Sequence, residues 1–259
     1  MSVVQQERTD DGIVTVTLNR PEKMNSMSGD LRHELAEIFK SLHQDESARV
    51  VILTGAGPRA FCAGLDLREL GGEAGSGTND IIIEAAGLIK LIETLPKPVI
   101  GAINGVAITG GFELALACDI LIASTTARFA DTHGRVGILP GWGLSQKLSR
   151  LIGINRAKEL SFTGNFIDAA TAQSWGLINR AVPPEQLLAT AHALAKDMLS
   201  IPPEMQAAYK SLIDDGYAQT YGDGLELELA RGQTLNASVS ADEIAARREA
   251  IQARARSLG

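Results

Sequence analysis

Residues 104–119 read NGVAITGGFELALACD. The run before them, PVIGAI at 98–103, is apolar and of strand length, and so is ILIAS at 120–124. Between the two, Gly110 and Gly111 lead into a helix-forming stretch that starts at about 110. Strand, helix, strand in succession predicts a right-handed crossover in a parallel sheet. The start of the helix offers free N–H donors and the positive end of its dipole, a place suited to a developing oxyanion. The spacing does not fit G-x-G-x-x-G, so a dinucleotide fold is poorly supported. Glu113 falls in the first helical turn, flanked by Phe112, Leu114, Ala115 and Leu116. Two readings are open for it: a carboxylate that only favours the dipole, or a carboxylate kept in an apolar stretch for its chemistry.

Upstream, RVVILT at 49–54 is a continuous apolar run that suits a sheet covered on both faces. It feeds a second glycine-rich segment, TGAGPRAFCAGLDL at 54–67. Such a segment either brings main-chain N–H groups close to a ligand or is a plain connection. It lacks the Lys-Ser/Thr pair of a Walker A loop. Further upstream, 13–18 alternate Val and Thr as a strand does. A helix follows, capped by Ser28, with Asp30 in its first turn and Leu31, Leu35, Ile38, Phe39 and Leu42 on one face.

Downstream of Gly143 the signals are almost all helical. Asp168 can cap a short helix that stops at Trp175-Gly176, and 179–182 reads as one more short strand. Pro183-Pro184 and Pro202-Pro203 can each begin a helix, and a last one is expected over about 241–257. The segment GGEAGSG at 71–77 reads as a mobile loop, and no internal repeat is evident. The expected organisation is an α/β core over 1–190 that carries the site, followed by a helical region over 191–259.

The 259 residues carry a net charge of −7, which disfavours nucleic acid as a general partner. Cys62 and Cys118 form no metal or redox spacing and read as idle thiols in a reducing compartment. The N-terminus, MSVVQQERTDDG, has no signal-type apolar core, and the apolar run at 81–92 is broken by Glu84 and Lys90. The expectation is a cytoplasmic protein without a membrane span. His33, His43 and His192 read as surface residues.

AFCAGLDL at 60–67 together with 104–119 resembles the signature pair of the enoyl-CoA hydratase/isomerase (crotonase) superfamily. The likeness extends in order through NRPEKMNSM at 19–27, ARFADTHGRVGILPGWGLSQKL at 127–148 and FTGNFIDAATAQSWGLINRAV at 162–182. The resemblance implies a crotonase-like ββα spiral core with a helical C-terminal trimerisation region. It implies an acyl-CoA thioester as substrate, with no permanently bound cofactor and no metal. Coenzyme A would enter only as part of that substrate. By the same likeness the main-chain N–H groups of Leu65 and Gly110 form an oxyanion hole. The likeness also places Lys23, Ala63 and Asp66 near the coenzyme A, mostly through main-chain atoms. The 70–83 region and Trp142 are expected to shape the acyl pocket. Glu113 matches the first of the two catalytic glutamates of hydratases. The position matching the second is His133, a departure from the pattern. His133 is either structural or an acid/base partner of Glu113, since histidine titrates near neutrality.

The implied activity is reversible hydration of a 2-enoyl-CoA. The alternatives are double-bond isomerisation or another enolate-based reaction, such as decarboxylation or thioester hydrolysis. Isomerases resembling the family often keep the second carboxylate, the opposite of what stands here. A coenzyme A-binding scaffold of low activity is the reading from another class. The resemblance also implies a homotrimer or a dimer of trimers.

Overall fold

The computed structural model describes residues 2–70 and 77–258. The loop expected at 71–77 lies outside them, apart from Gly77. Among the described residues, ten strands form two sheets. Six strands make the larger: β1 (Val4–Arg8), β2 (Ile13–Leu18), β3 (Val50–Gly55), β5 (Val99–Ile103), β7 (Ile120–Ser124) and β10 (Arg180–Val182), side by side in that order. β1 runs antiparallel to β2 and the other pairs are parallel. The smaller sheet takes β4 (Ala60–Cys62), β6 (Val106–Ile108), β8 (Arg128–Ala130) and β9 (Ile167–Asp168).

The path between the sheets repeats. β3, β4 and α2 (Thr78–Glu93) follow one another, then β5, β6 and α3 (Gly110–Leu116), then β7, β8 and α4 (His133–Val136). Each turn lays a long strand in the first sheet, a short strand in the second, and then a helix. This ββα repeat is structural; the sequence carries no visible counterpart. β1 and the strands of the second sheet are also beyond the sequence reading: β1 is polar after Val4, and two or three residues are too few to display a period.

Helix α1 (Gly29–Gln44) begins where the sequence places it, with the Ser28 hydroxyl accepting from the Leu31 N–H at 3.4 Å. Leu31, Leu35, Phe39 and Leu42 are buried, each contributing about 1.5–3 kcal/mol by leaving water. Helices α5 (Leu144–Ile152), α6 (Ile154–Thr163) and α7 (Ala169–Ser174) follow α4, and Asp168 caps α7 as expected. Helix α8 (Leu187–Met198) lays Leu187, Ala191 and Ala195 against Ile52, Ile100 and Ile122. It covers the second face of the sheet, which is why β3 and β5 are buried at every position.

The chain divides into two compact units, Met1–Gln206 and Ala207–Gly259. Because α8 packs on the sheet, the first unit runs past residue 190, where the sequence suggested a boundary. The second unit is helical. It holds the end of α9 (Pro203–Tyr217), α10 (Tyr221–Asn236) and α11 (Ala241–Leu258), and Arg231 ties α10 to Ser211 and Asp215 of α9.

The first turn of α3 presses against the strand β4. A Cβ on Gly111 would stand 2.0 Å from the Cys62 carbonyl oxygen, a main-chain atom with nowhere to go. Gly87, on α2, has open space around the same position. Gly111→Ala is therefore expected to lose at least the roughly 1–3 kcal/mol of over-packing. Gly87→Ala is expected to gain up to about 1 kcal/mol. Chemical denaturation of the two variants checks the contrast.

Candidate active site

Three turns of the spiral meet at the start of α3. Gly64, between β4 and Leu65, has φ +94°, a conformation that favours glycine. A Cβ there would lie 3.1 Å from the Ile108 oxygen and 3.4 Å from the Gly110 nitrogen. The two glycine-rich segments thus touch at Gly64 and Gly110, and Leu65 and Gly110 line one pocket. Among the described residues, neither N–H donates to a protein acceptor. The Leu65 side is pinned by Met27, whose N–H donates to the Gly64 oxygen (2.8 Å) and whose carbonyl accepts from the Asp66 N–H (3.2 Å).

The Gly110 side is held by strain. Thr109 has φ +55°, which costs a non-glycine residue about 1–3 kcal/mol. Its N–H donates to the Ala130 oxygen, and its carbonyl accepts from the N–H groups of Phe112 and Glu113, all at 3.0 Å. Its hydroxyl meets that of Thr132. The strained residue is therefore tied both to α3 and to the segment that leads into α4.

Glu113 is 1% exposed. One carboxylate oxygen accepts from the main-chain N–H of Trp142 (2.8 Å) and of Leu144 (3.3 Å). The other lies 3.3 Å from Nε2 of His133. His133 is also buried, and its Nδ1 lies 2.7 Å from Oδ1 of Asp131. Asp131, His133 and Glu113 form a line of three buried titratable groups. Burial opposes charge on the imidazole, but the hydrogen bonds and charges of Asp131 and Glu113 outweigh it and raise the His133 pKa to about 9. Burial would raise Asp131, yet hydrogen bonds from His133 and Ser161 hold it below its ordinary value. At neutral pH the raised value keeps His133 protonated, between Asp131 and Glu113.

A pocket opens over this line. Leu65, Gly110, Glu113, His133, Ala63 and Trp142 all line it. So six of the eight residues singled out from the sequence converge. Lys23 is exposed, at the end of a short 3-10 turn (Pro21–Lys23). Asp66 is engaged elsewhere, by the guanidinium of Arg20 at 3.2 Å. The Trp142 indole N–H donates to the Ile82 oxygen (2.9 Å), fixing α2 as one wall, and a Cβ on Gly110 would meet the indole at 2.6 Å. The remaining lining is mostly apolar, with Leu70, Ile82, Ile138 and Leu139, beside Thr109 and Thr132.

Sequence reasoning missed Asp131 and Thr109. The signal for Asp131 was its place two residues before His133, where an aspartate can turn back on the chain. Two histidines read as surface residues are half-buried instead. His43 meets the Leu91 oxygen (2.9 Å) and His192 meets the Thr15 hydroxyl (3.3 Å). Cys62 is an idle thiol, its pKa pushed by burial up to about 12. Among the described residues, no cluster of side chains could hold a metal ion, and no helix is long and apolar enough to cross a membrane.

The family model for enoyl-CoA hydratase/isomerase matches residues 8–250. A protein of Arabidopsis thaliana named probable enoyl-CoA hydratase 1, peroxisomal, is 40% identical over 98% of this chain and 94% of its own. A 1,2-epoxyphenylacetyl-CoA isomerase of Escherichia coli is 37% identical over 84% of each. The crystal structure of an enoyl-CoA hydratase from Bacillus anthracis superposes with a TM-score of 0.88 at 36% identity, covering 98% of this chain and 96% of that one.

The raised pKa of His133 makes stability depend on pH. Its folded value, about 9, lies above the ordinary 6.5, so its contribution is complete below about pH 6.5 and is lost as the pH climbs through about 9. Asp131 acts in the opposite sense, losing its contribution in acid. Thermal unfolding of the wild type is expected to weaken across the alkaline window more than that of His133→Gln. A constant difference between the two over that window would contradict the assignment.

Proposed function

The chain belongs to the enoyl-CoA hydratase/isomerase family, and from that premise we propose that it catalyses the reversible addition of water to a 2-enoyl-CoA thioester. The observation that carries this reading is the pairing of Glu113 with His133 at 3.3 Å, in the pocket that the Leu65 and Gly110 amides also line.

In this reading the thioester oxygen accepts from the N–H groups of Leu65 and Gly110. Charge that develops on that oxygen during addition is met by donors already in place, each worth roughly 3–4 kcal/mol. Water is held against Glu113 and His133. The Glu113 carboxylate takes one of its protons while its oxygen bonds to the β-carbon, and the double-bond electrons move onto the thioester oxygen as an enolate. The His133 imidazolium then gives its Nε2 proton to the α-carbon. The proton on Glu113 returns across the short gap to His133, so both side chains are restored and one water has been added. Main-chain donation from Trp142 and Leu144 keeps the Glu113 carboxylate oriented throughout.

Ala63, on the pocket wall, and Lys23, exposed nearby in sequence to Met27, are proposed to meet the coenzyme A portion. The apolar lining and Trp142 are proposed to hold a hydrocarbon acyl chain. No permanently bound cofactor is needed for these steps. Double-bond isomerisation is the second reading, since the matching family model is described as enoyl-CoA hydratase/isomerase. It needs one group to shuttle a proton, whereas this pocket presents two. A cytoplasmic location and a trimer or dimer of trimers are proposed on the family likeness alone; light scattering decides the assembly.

A panel of 2-enoyl-CoA substrates should be hydrated by the wild type. Glu113→Gln keeps the shape but accepts no proton, so it should cut kcat at least about a hundredfold while acyl-CoA binding, read by calorimetry, changes little. His133→Gln should also lower kcat more than it alters binding. Acyl-CoA binding without hydration of any member would overturn the hydratase reading, and double-bond migration in its place would establish the isomerase one.

A further inference from the structure

Asp131 has no role in the steps above, yet it is 3% exposed and carries a charge. Burying a carboxylate is costly unless it is paired and hydrogen-bonded. One of its oxygens, Oδ1, meets both the His133 ring at Nδ1 (2.7 Å) and the His133 main-chain N–H (3.2 Å). Ser161, from α6, hydrogen-bonds the same carboxylate. The main-chain bond alone would make Asp131 a turn residue at the start of a four-residue helix. The ring bond is not needed for that. It fixes the plane of the imidazole and puts a proton on Nδ1, which directs Nε2 at Glu113, 3.3 Å away.

We propose that Asp131 is a positioning residue of this site, a buried carboxylate that holds His133 as a donor at both ring nitrogens and aims Nε2–H at Glu113 and the substrate. The two carboxylates act differently. Glu113 lines the pocket, while Asp131 stands behind the ring and does not line it. Few other charges act on His133. Glu113 is the only titratable group of α3. Arg135, on α4 itself, is exposed and donates to the Thr163 oxygen. Arg156, Lys158 and Glu159 of α6, which packs on α4, are exposed as well. The protonation of His133 is therefore set by Asp131 and Glu113 together.

The kinetic part of this proposal rests on the hydratase reading; its spectroscopic part does not. The imidazole signals of His133 can be assigned by their loss in His133→Gln and titrated by 15N NMR. In the wild type both ring nitrogens should be protonated at pH 7.5, and a neutral ring there would overturn the proposal. Asp131→Asn keeps an oxygen to accept both bonds but removes the charge. It should shift the His133 titration down by about 1–3 pH units, and move the alkaline limb of the pH–rate profile with it. Asp131→Asn in a His133→Gln background should be no slower than His133→Gln alone. An unmoved titration in a folded Asp131→Asn, or a further loss in the double variant, would reduce Asp131 to a structural turn residue. If Asp131→Asn does not fold, the wild-type titration still decides the matter. If the titration moves as stated but no enoyl-CoA is hydrated, the hydratase reading fails and the role of Asp131 stands.

Discussion

Everything at the site follows from the closeness of two main-chain segments. The turn after β4 and the start of α3 approach until no side chain fits between them, as Gly64 and Gly111 record. The approach is what brings Leu65 and Gly110 onto one pocket. It is held from one side by the bridge between Met27 and Leu65, and from the other by Thr109, strained and tied to β8. The ββα spiral supplies this geometry without side chains. One turn brings Leu65, the next brings Gly110 and Glu113, and the third brings Asp131 and His133. Rigid strands in both sheets then keep donors and acid/base groups in one register.

The electrostatics share that economy. Glu113 is buried at the first turn of a helix, where the dipole favours a negative charge, and two main-chain donors satisfy one of its oxygens. That leaves the second oxygen for His133. A glutamate at position 133, as in hydratases with two catalytic carboxylates, would face Asp131 and Glu113 together, three acids at one buried point. The histidine suits this chain because Asp131 is there. The substitution that looked like a departure from the family pattern is thus coherent with the residue two places before it. A cation between two anions is also less costly to bury than a lone charge.

The long apolar strands, the cap at Ser28 and the cap at Asp168 were legible in the sequence because side-chain chemistry carries them. The second sheet was not, since its strands are short and their pairing depends on where the spiral returns. At the site, Glu113 stood out as a carboxylate in an apolar run, and Leu65 and Gly110 came from the likeness of whole segments. What stayed hidden was mostly main-chain: the donors from Trp142 and Leu144, and the strained φ of Thr109, leave no mark on residue type. Asp66 also came from that likeness; the ion pair that Arg20 makes with its carboxylate depends on closeness in space and was not legible.

The central claim is that the Leu65 and Gly110 amides take up charge on a thioester oxygen. Infrared difference spectroscopy of a bound 2-enoyl-CoA carrying 13C at the thioester carbonyl reads this directly, without waiting for turnover. Two donors aimed at the oxygen should lower the carbonyl stretch well below its value for the same compound in water. Gly110→Ala, which drives a methyl group into Trp142, should return it toward the solution value. A bound thioester whose carbonyl stretch equals that in water would contradict the account.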